Sequence, residues 1–224
     1  MNDSTIHIPL NTTPDQVRRL QELQSAFAEV CNALGPVVRD TRCWNRVTLH
    51  HLAYRSLRDS FPQVGSQMVC NAIYSVSRTC RVIFQSPASP FNIQRMNGKP
   101  LPVLQFLASA PVYFDRHTLS ISRGVMSMFT MDGRMRFDLN LGEEQQVRFK
   151  ERKLQEIVLR SVGDQFTLSF SFSSSQAQSE EAAAEGGALW PEYVVIRHDE
   201  ADQSVDALLA SKQNVLVNSF GVSP

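Results

Sequence analysis

A chain of 224 residues, 42% of them apolar, is long enough to bury a hydrophobic core, which argues against a disordered protein. The formal net charge is zero, but residues 1–176 carry 20 basic and 14 acidic side chains, whereas residues 177–224 carry 2 and 8. This asymmetry favours a polyanionic partner for a basic body, and ordinary solvated surface charge is the alternative explanation.

Signals for secretion, metal binding and membrane insertion are not recognisable in the sequence. The four cysteines, Cys31, Cys43, Cys70 and Cys80, form no CxxC pair, so neither a zinc ribbon nor a secreted disulfide framework is predicted. Residues 1–10 lack a positively charged leader, and no window approaches the roughly 20 apolar residues of a membrane span. We therefore expect a cytoplasmic protein without a membrane partner.

Two elements are predicted in the first 36 residues. Residues 5–10 alternate apolar and polar side chains, which is typical of a short strand with one buried face. Thr13, Pro14 and Gln16 form the sequence pattern of a capping box, so a long amphipathic helix is predicted to begin there. The Gly35-Pro36 pair is predicted to end this helix.

A three-helix unit is predicted within residues 12–86. A basic connector at residues 39–46 leads to a second helix near 47–60 and a third near 65–84. One face of the third helix carries a polar stripe, with spacings of four and three residues: Gln67, Asn71, Tyr74, Arg78 and Arg81. Since apolar residues line the opposite face, we expect the polar stripe to be free to contact a ligand.

Strands dominate the predictions for residues 87–176. Alternating patterns indicate strands at 112–114, 118–121, 125–130, 134–139, 146–150, 157–162 and 165–172. Asp132-Gly133 predicts a type I′ hairpin turn, and Gly163-Asp164 predicts another hairpin. The predicted fold class is therefore α+β, with a small antiparallel barrel that is completed by the strand in residues 1–11 and interrupted by the inserted helices.

The end of the chain has a different composition. Residues 177–189 are rich in Ala, Glu and Gly, without apolar periodicity, and predict a flexible acidic linker. In the short C-terminal segment, residues 190–224, a strand is predicted at 193–197 and a short helix at 204–209.

Sequence motifs for catalysis are missing, so we expect neither an enzyme nor a cofactor. The phosphate-cradling, dinucleotide-binding and nucleophile-elbow motifs do not occur. The adjacent His50 and His51 point about 100° apart on a helix, which is unfavourable for a shared metal ion.

Groups suited to nucleic acid are more abundant. Arg39, Arg42 and Arg46 crowd the basic connector, and Arg55 and Arg58 share a face of the second helix beside Tyr54. Gln67 and Asn71 lie one turn apart, and side-chain amides are favoured readers of adenine in a major groove. The alternative is that these groups only solvate helix faces.

The order of several short stretches resembles the N-terminal half of the transposon-encoded TnpB proteins, which are related to the type V CRISPR effectors. The resemblance covers about residues 6–172. It rests on these stretches: Thr-Pro-Asp-Gln at 13–16, Cys-Asn at 31–32, Tyr-Arg-Ser-Leu-Arg-Asp-Ser-Phe-Pro at 54–62, Ser-Gln at 66–67 with Ala-Ile at 72–73, and Val-Tyr-Phe-Asp-Arg-His-Thr-Leu-Ser-Ile at 112–121 followed by Asp-Gly-Arg at 132–134.

In that family, a wedge barrel and an inserted recognition domain grip a guide RNA and read a short DNA motif. The resemblance implies that Tyr54, Gln67, Asn71 and Tyr74 face the motif duplex. It also implies that arginines of the helices and barrel hold RNA or DNA backbone: Arg39, Arg42, Arg46, Arg55, Arg58, Arg78, Arg81, Arg123, Arg134 and Arg136.

The sequence departs from the family where a RuvC-type nuclease would follow. Asp199 precedes Glu200-Ala201 instead of the family's Leu-Gly, and no zinc ribbon follows. We therefore expect a nuclease-less protein that binds guide RNA and target DNA with another protein subunit. The alternatives are an inhibitor whose acidic segment mimics nucleic acid and a DNA-binding regulator without a guide.

Overall fold

The computed structural model of the protein describes residues 5–139, 141–173 and 190–197. Its elements, in chain order, are β1 (Thr5–Pro9), α1 (Pro14–Thr41), α2 (Arg46–Ser60), α3 (Ser66–Phe84), β2 (Val103–Phe106), β3 (Val112–Phe114), β4 (Leu119–Ser122), β5 (Val125–Thr130), β6 (Gly133–Asp138), α4 (Glu143–Glu151), β7 (Leu154–Val162), β8 (Gln165–Phe172) and β9 (Val194–Arg197). Helices and antiparallel sheets together confirm the predicted α+β class.

The described strands form three sheets, with the orders β1-β8-β7-β3, β4-β5-β6 and β2-β9. Strand β1 pairs with β8 far along the chain, which confirms the predicted distant partner, and Pro9 lies at a sheet edge as expected. The predicted closed barrel is wrong for the described strands, because β1 and β3 are separate edges of the four-stranded sheet and do not pair.

Helix α1 begins as predicted but does not end as predicted. The backbone N–H of Gln16 donates to Thr13 Oγ1 at 3.3 Å, and the N–H of Thr13 donates to Gln16 Oε1 at 2.9 Å, which completes the capping box. The helix continues through Pro36 to Thr41. An interior proline removes one helical hydrogen bond, but Leu34 and Val38 on either side are buried. Their burial offsets that cost.

The middle of α1 also organises β2, a strand that was not predicted. Asn32 Nδ2 donates to the carbonyl oxygen of Phe106 at 3.0 Å, and the N–H of Phe106 donates to Asn32 Oδ1 at 2.6 Å. The Asn32 amide therefore replaces a neighbouring strand along the open edge of β2. One turn on, a β-carbon on Gly35 would lie 2.9 Å from the carbonyl oxygen of Leu104.

We expect Gly35→Ala to lower the free energy of unfolding by about 1–3 kcal/mol, because the added methyl group must displace the β2 backbone. Urea denaturation measures this change. Gly142→Ala is the matched control, since nothing lies within 4 Å of a β-carbon there; it should show only the small cost of alanine at a helix N-cap. Equal effects of the two substitutions would contradict the close packing of α1 on β2.

Residues 146–150, predicted as a strand, belong instead to α4. Its first turn carries Glu143 and Glu144, which interact favourably with a helix N-terminus, and Arg148 pairs with Glu144. Phe149 packs edge-on against Phe170 and Phe172, with ring centroids 5.1 and 5.2 Å away. One half-buried aromatic side chain therefore produced an apparent strand alternation on a helix that has no fully buried residue.

Both predicted hairpins are present. Gly163, with φ of 58°, begins the two-residue turn between β7 and β8. In the β5–β6 hairpin, Thr130 pairs with Gly133, so the turn residues are Met131 and Asp132. Neither has a positive φ, and the predicted type I′ geometry at Asp132-Gly133 is therefore wrong.

A continuous hydrophobic core joins the helices to the sheets. Its largest fully buried side chains include Phe27 of α1, Phe84 of α3, and Phe166 and Phe170 of β8. The predicted strand at 193–197 is confirmed as β9, whereas the predicted linker and the helix at 204–209 lie outside the described residues. Among the described helices, none combines the length and hydropathy that crossing a membrane would require.

Candidate nucleic-acid interface

The polar stripe of α3 faces other parts of the protein, which contradicts the expected free face. Gln67 Nε2 donates to Asp115 Oδ2 at 2.5 Å. Asn71 is only 5% exposed, and its Nδ2 lies 3.4 Å from Thr118 Oγ1. The two amides thus contact the loop between β3 and β4, and Asn71 cannot reach a DNA base in this conformation.

That loop has its own internal order. Asp115 Oδ1 accepts hydrogen bonds from the backbone N–H groups of His117 and Thr118 at 3.1 and 3.0 Å. Such a turn closed by an aspartate side chain is a common local structure. Since Asp115 Oδ2 holds Gln67, the loop orients that amide and leaves Gln67 Oε1 without a donor among the described residues.

The next part of the stripe forms a charged cluster with β7. Glu156 Oε1 accepts from the Tyr74 hydroxyl at 2.8 Å and from Arg78 Nη1 at 2.7 Å. Sequence reasoning missed Glu156, because a glutamate at the start of a strand resembles solvated surface charge. The ring of Tyr74 also packs edge-on against Tyr113 of β3, with centroids 5.5 Å apart.

The environment of this cluster keeps Tyr74 and Arg78 in their ordinary charge states. Burial and the charge of Glu156 raise the pKa of Tyr74, so the phenol stays protonated. Burial lowers the pKa of Arg78, but Tyr113, Glu156 and Tyr74 together raise it by more, so the guanidinium stays charged. Both side chains therefore act as donors at neutral pH.

An open groove of about 410 Å³ lies between the first turns of α2 and α3. Its lining residues are Arg46, Val47, His50, Gln67, Cys70 and Ile73. The Arg46 guanidinium stacks 5.0 Å from the centre of the Tyr74 ring, and His50 stacks on Tyr54 with centroids 4.6 Å apart. Tyr54, Gln67 and Tyr74, predicted to face the DNA motif, therefore border or line one concave surface.

Cys70 does not give this groove a nucleophile. Burial raises the pKa of its thiol, and the nearby Arg46 only partly opposes that effect. A protonated thiol is a poor nucleophile and a poor metal ligand. No group of three or more potential metal-ligating side chains occurs in residues 5–139, 141–173 and 190–197. The groove is equipped for binding through stacking, hydrogen bonds and charge.

Several predicted backbone-binding arginines already have partners in the fold. Arg42 Nη2 donates to the carbonyl oxygens of Gly98 and Lys99 at 2.9 and 2.6 Å, and Arg134 spans strands β4 and β5 through Ser120 and Ser127. The others with partners are Arg39 on Asp40, Arg58 on the Val64 carbonyl, Arg78 on Glu156 and Arg81 on Ser77.

Four predicted arginines are exposed and donate no hydrogen bond to any described residue: Arg46, which stacks on Tyr74, and Arg55, Arg123 and Arg136. Arg55 lies on α2, the helix that lines the groove. Arg123 and Gly124 form the β4–β5 turn with φ of 50° and 76°, the pair of positive angles typical of type I′. These guanidinium groups are available to phosphate on two surfaces of the body.

Comparison with protein-family models gives no match, and comparison with curated proteins gives none either.

Proposed function

We propose that the protein is a nucleic-acid-binding protein without nuclease activity, which holds a guide RNA and a short DNA motif as one subunit of a larger complex. The observation that carries this proposal is the groove between α2 and α3. It is lined by the guanidinium of Arg46, the imidazole of His50 and the oriented amide of Gln67. The apolar side chains of Val47 and Ile73 lie beside them. This combination suits a nucleotide, whose base is planar and apolar on its faces and polar at its edges.

The distribution of charge supports the same proposal. Residues 1–176 have a net excess of basic side chains. Arg46 lines the groove, and the exposed Arg55 of the same helix donates no hydrogen bond to the described residues. Such cations supply the sequence-independent part of nucleic-acid affinity. The resemblance of residues 6–172 to TnpB proteins supports the guide RNA, the DNA motif and the partner subunit.

Direct binding measurements test the proposal. We expect the purified protein to bind labelled RNA and duplex DNA, with an affinity that falls steeply as salt increases. Truncation after residue 197, combined with replacement of Glu180, Glu181 and Glu185 by Gln, removes most of the acidic charge and keeps strand β9. It should leave this binding intact, because the groove lies wholly within residues 46–73. Binding no stronger than to a neutral polymer would overturn the proposal. Loss of all activity on removal of this acidic charge would favour a mimicry-based inhibitor instead.

A further inference from the structure

One face of the four-stranded sheet is lined by short polar side chains that the predictions above did not use. Residues paired across a sheet point to the same side. The register places three rows on this side: Thr5, Ser171 and Glu156; His7, Ser169, Val158 and Tyr113; and Pro9, Thr167 and Arg160. The side chains of Thr5, His7, Thr167, Ser169 and Ser171 are called the hydroxyl face below.

Helix α3 covers only part of this side of the sheet. Tyr113 is 4% exposed because Tyr74 packs on it, whereas His7 and Arg160 are exposed. On the hydroxyl face, His7 Nδ1 lies 2.8 Å from Ser169 Oγ, and Thr5 Oγ1 lies 3.3 Å from Ser171 Oγ. Ser169 is only 9% exposed, whereas Thr5, Thr167 and Ser171 are half-buried and His7 is exposed. A ligand on the hydroxyl face therefore meets mainly these four side chains.

The charge around the hydroxyl face fits a polyanion. Glu156 is the acidic residue in these rows, and its carboxylate already accepts from Tyr74 and Arg78. Arg160 is exposed beside Thr167 and donates no hydrogen bond to the described residues. A ligand on this surface therefore meets positive charge and hydroxyl groups together.

The hydroxyl face is also joined to the groove by direct contacts. Arg46, which lines the groove, stacks on Tyr74, and the Tyr74 hydroxyl bonds to Glu156. Glu156 stands opposite Ser171 in the sheet register. The groove and the hydroxyl face therefore lie at the two ends of one series of side-chain contacts.

We propose that the hydroxyl face binds the ribose-phosphate backbone of an RNA strand, an inference that rests on the proposed function. Serine and threonine hydroxyls both donate and accept hydrogen bonds, as does the ribose 2′-hydroxyl that distinguishes RNA from DNA. Arg160 holds phosphate beside them. The hydroxyl face thereby gives the protein a preference for RNA over DNA of the same sequence.

Binding to a single-stranded RNA and to a DNA of identical sequence tests this proposal. In the full chain, the combined change Thr167→Val, Ser169→Ala and Ser171→Ala should reduce the RNA-over-DNA affinity ratio by about fivefold to tenfold, since two or three hydrogen bonds are lost. DNA affinity should stay nearly constant. Ser122→Ala, which removes a hydroxyl from the turn end of β4, is the matched control and should leave the ratio unchanged.

Arg160→Glu provides a second, independent variant. It should weaken binding of both probes and make binding less dependent on salt, Arg160→Lys should retain most of the affinity, and Lys99→Glu serves as the control for net charge. Thermal unfolding verifies that each variant is folded. Wild-type protein that binds neither probe would overturn the proposed function itself. If the wild-type protein binds, but the combined Thr167→Val, Ser169→Ala and Ser171→Ala change leaves the RNA-over-DNA affinity ratio unchanged, only the proposed role of the hydroxyl face is overturned.

Discussion

Replacement of Glu156 by alanine is expected to lower the free energy of unfolding by about 2 kcal/mol. The Glu156 side chain is 15% exposed and is the acceptor for both Tyr74 and Arg78. Its removal leaves a half-buried phenol and a charged guanidinium without that acceptor. The 36% exposure of the Arg78 side chain moderates the loss, because water can reach the cation.

Urea denaturation at neutral pH measures this loss, and two variants calibrate it. Glu156→Gln keeps an acceptor oxygen and should be destabilised by less than the alanine variant. Glu144→Ala removes a carboxylate that is 80% exposed in its pair with Arg148, and should change stability little. Equal destabilisation by Glu156→Ala and Glu144→Ala would show that the hydrogen bonds of Glu156 to Tyr74 and Arg78 do not hold α3 against β7.

The combined change Arg46→Glu and Arg55→Glu should weaken nucleic-acid binding by about 100-fold at low salt. Each substitution removes a cation from α2, one of the two helices that border the groove, and adds an anion that repels phosphate. The slope of log affinity against log salt concentration should also decrease in magnitude by about 2, since two phosphate contacts are lost. Titration of a labelled RNA or DNA at several salt concentrations measures both effects.

The matched control for this pair is Arg95→Glu with Lys99→Glu, which changes the net charge equally in the loop before β2. This control should lower affinity by a few-fold at most through long-range repulsion. Equal losses from the two pairs would mean that total charge, and not the groove, determines affinity. Because Arg46 stacks on Tyr74, thermal unfolding of each double variant must show that the fold is retained.

Local chemistry explains which elements were predictable. The capping box at Thr13 and Gln16 and the turn at Gly163 are short-range patterns, so they act in the same way in any fold. Helix α1 passes through Pro36 because burial of Leu34 and Val38 outweighs a local helix-breaking signal. Strand β2 was missed for a similar reason, since it depends on the distant Asn32 amide.

The candidate site was less predictable, because its polar groups are divided between internal and external roles by long-range contacts. Gln67 and Asn71 have the same helical spacing as surface readers of DNA bases, but Asp115 and Thr118 approach them from another part of the chain. The hydroxyl face was missed for the opposite reason, because the sequence does not indicate that its polar side chains lie together. Its members come from β1 and β8, about 160 residues apart, and only strand pairing assembles them.

The most direct test of a guide-binding function is to purify the full chain under native conditions from cells that contain its natural genomic locus, and to sequence the nucleic acid that copurifies. We expect one defined RNA species to be strongly enriched, and to be lost from the Arg46→Glu, Arg55→Glu protein. Recovery of only the background mixture of cellular RNA, or of duplex DNA without RNA, would contradict the proposed guide-dependent binding.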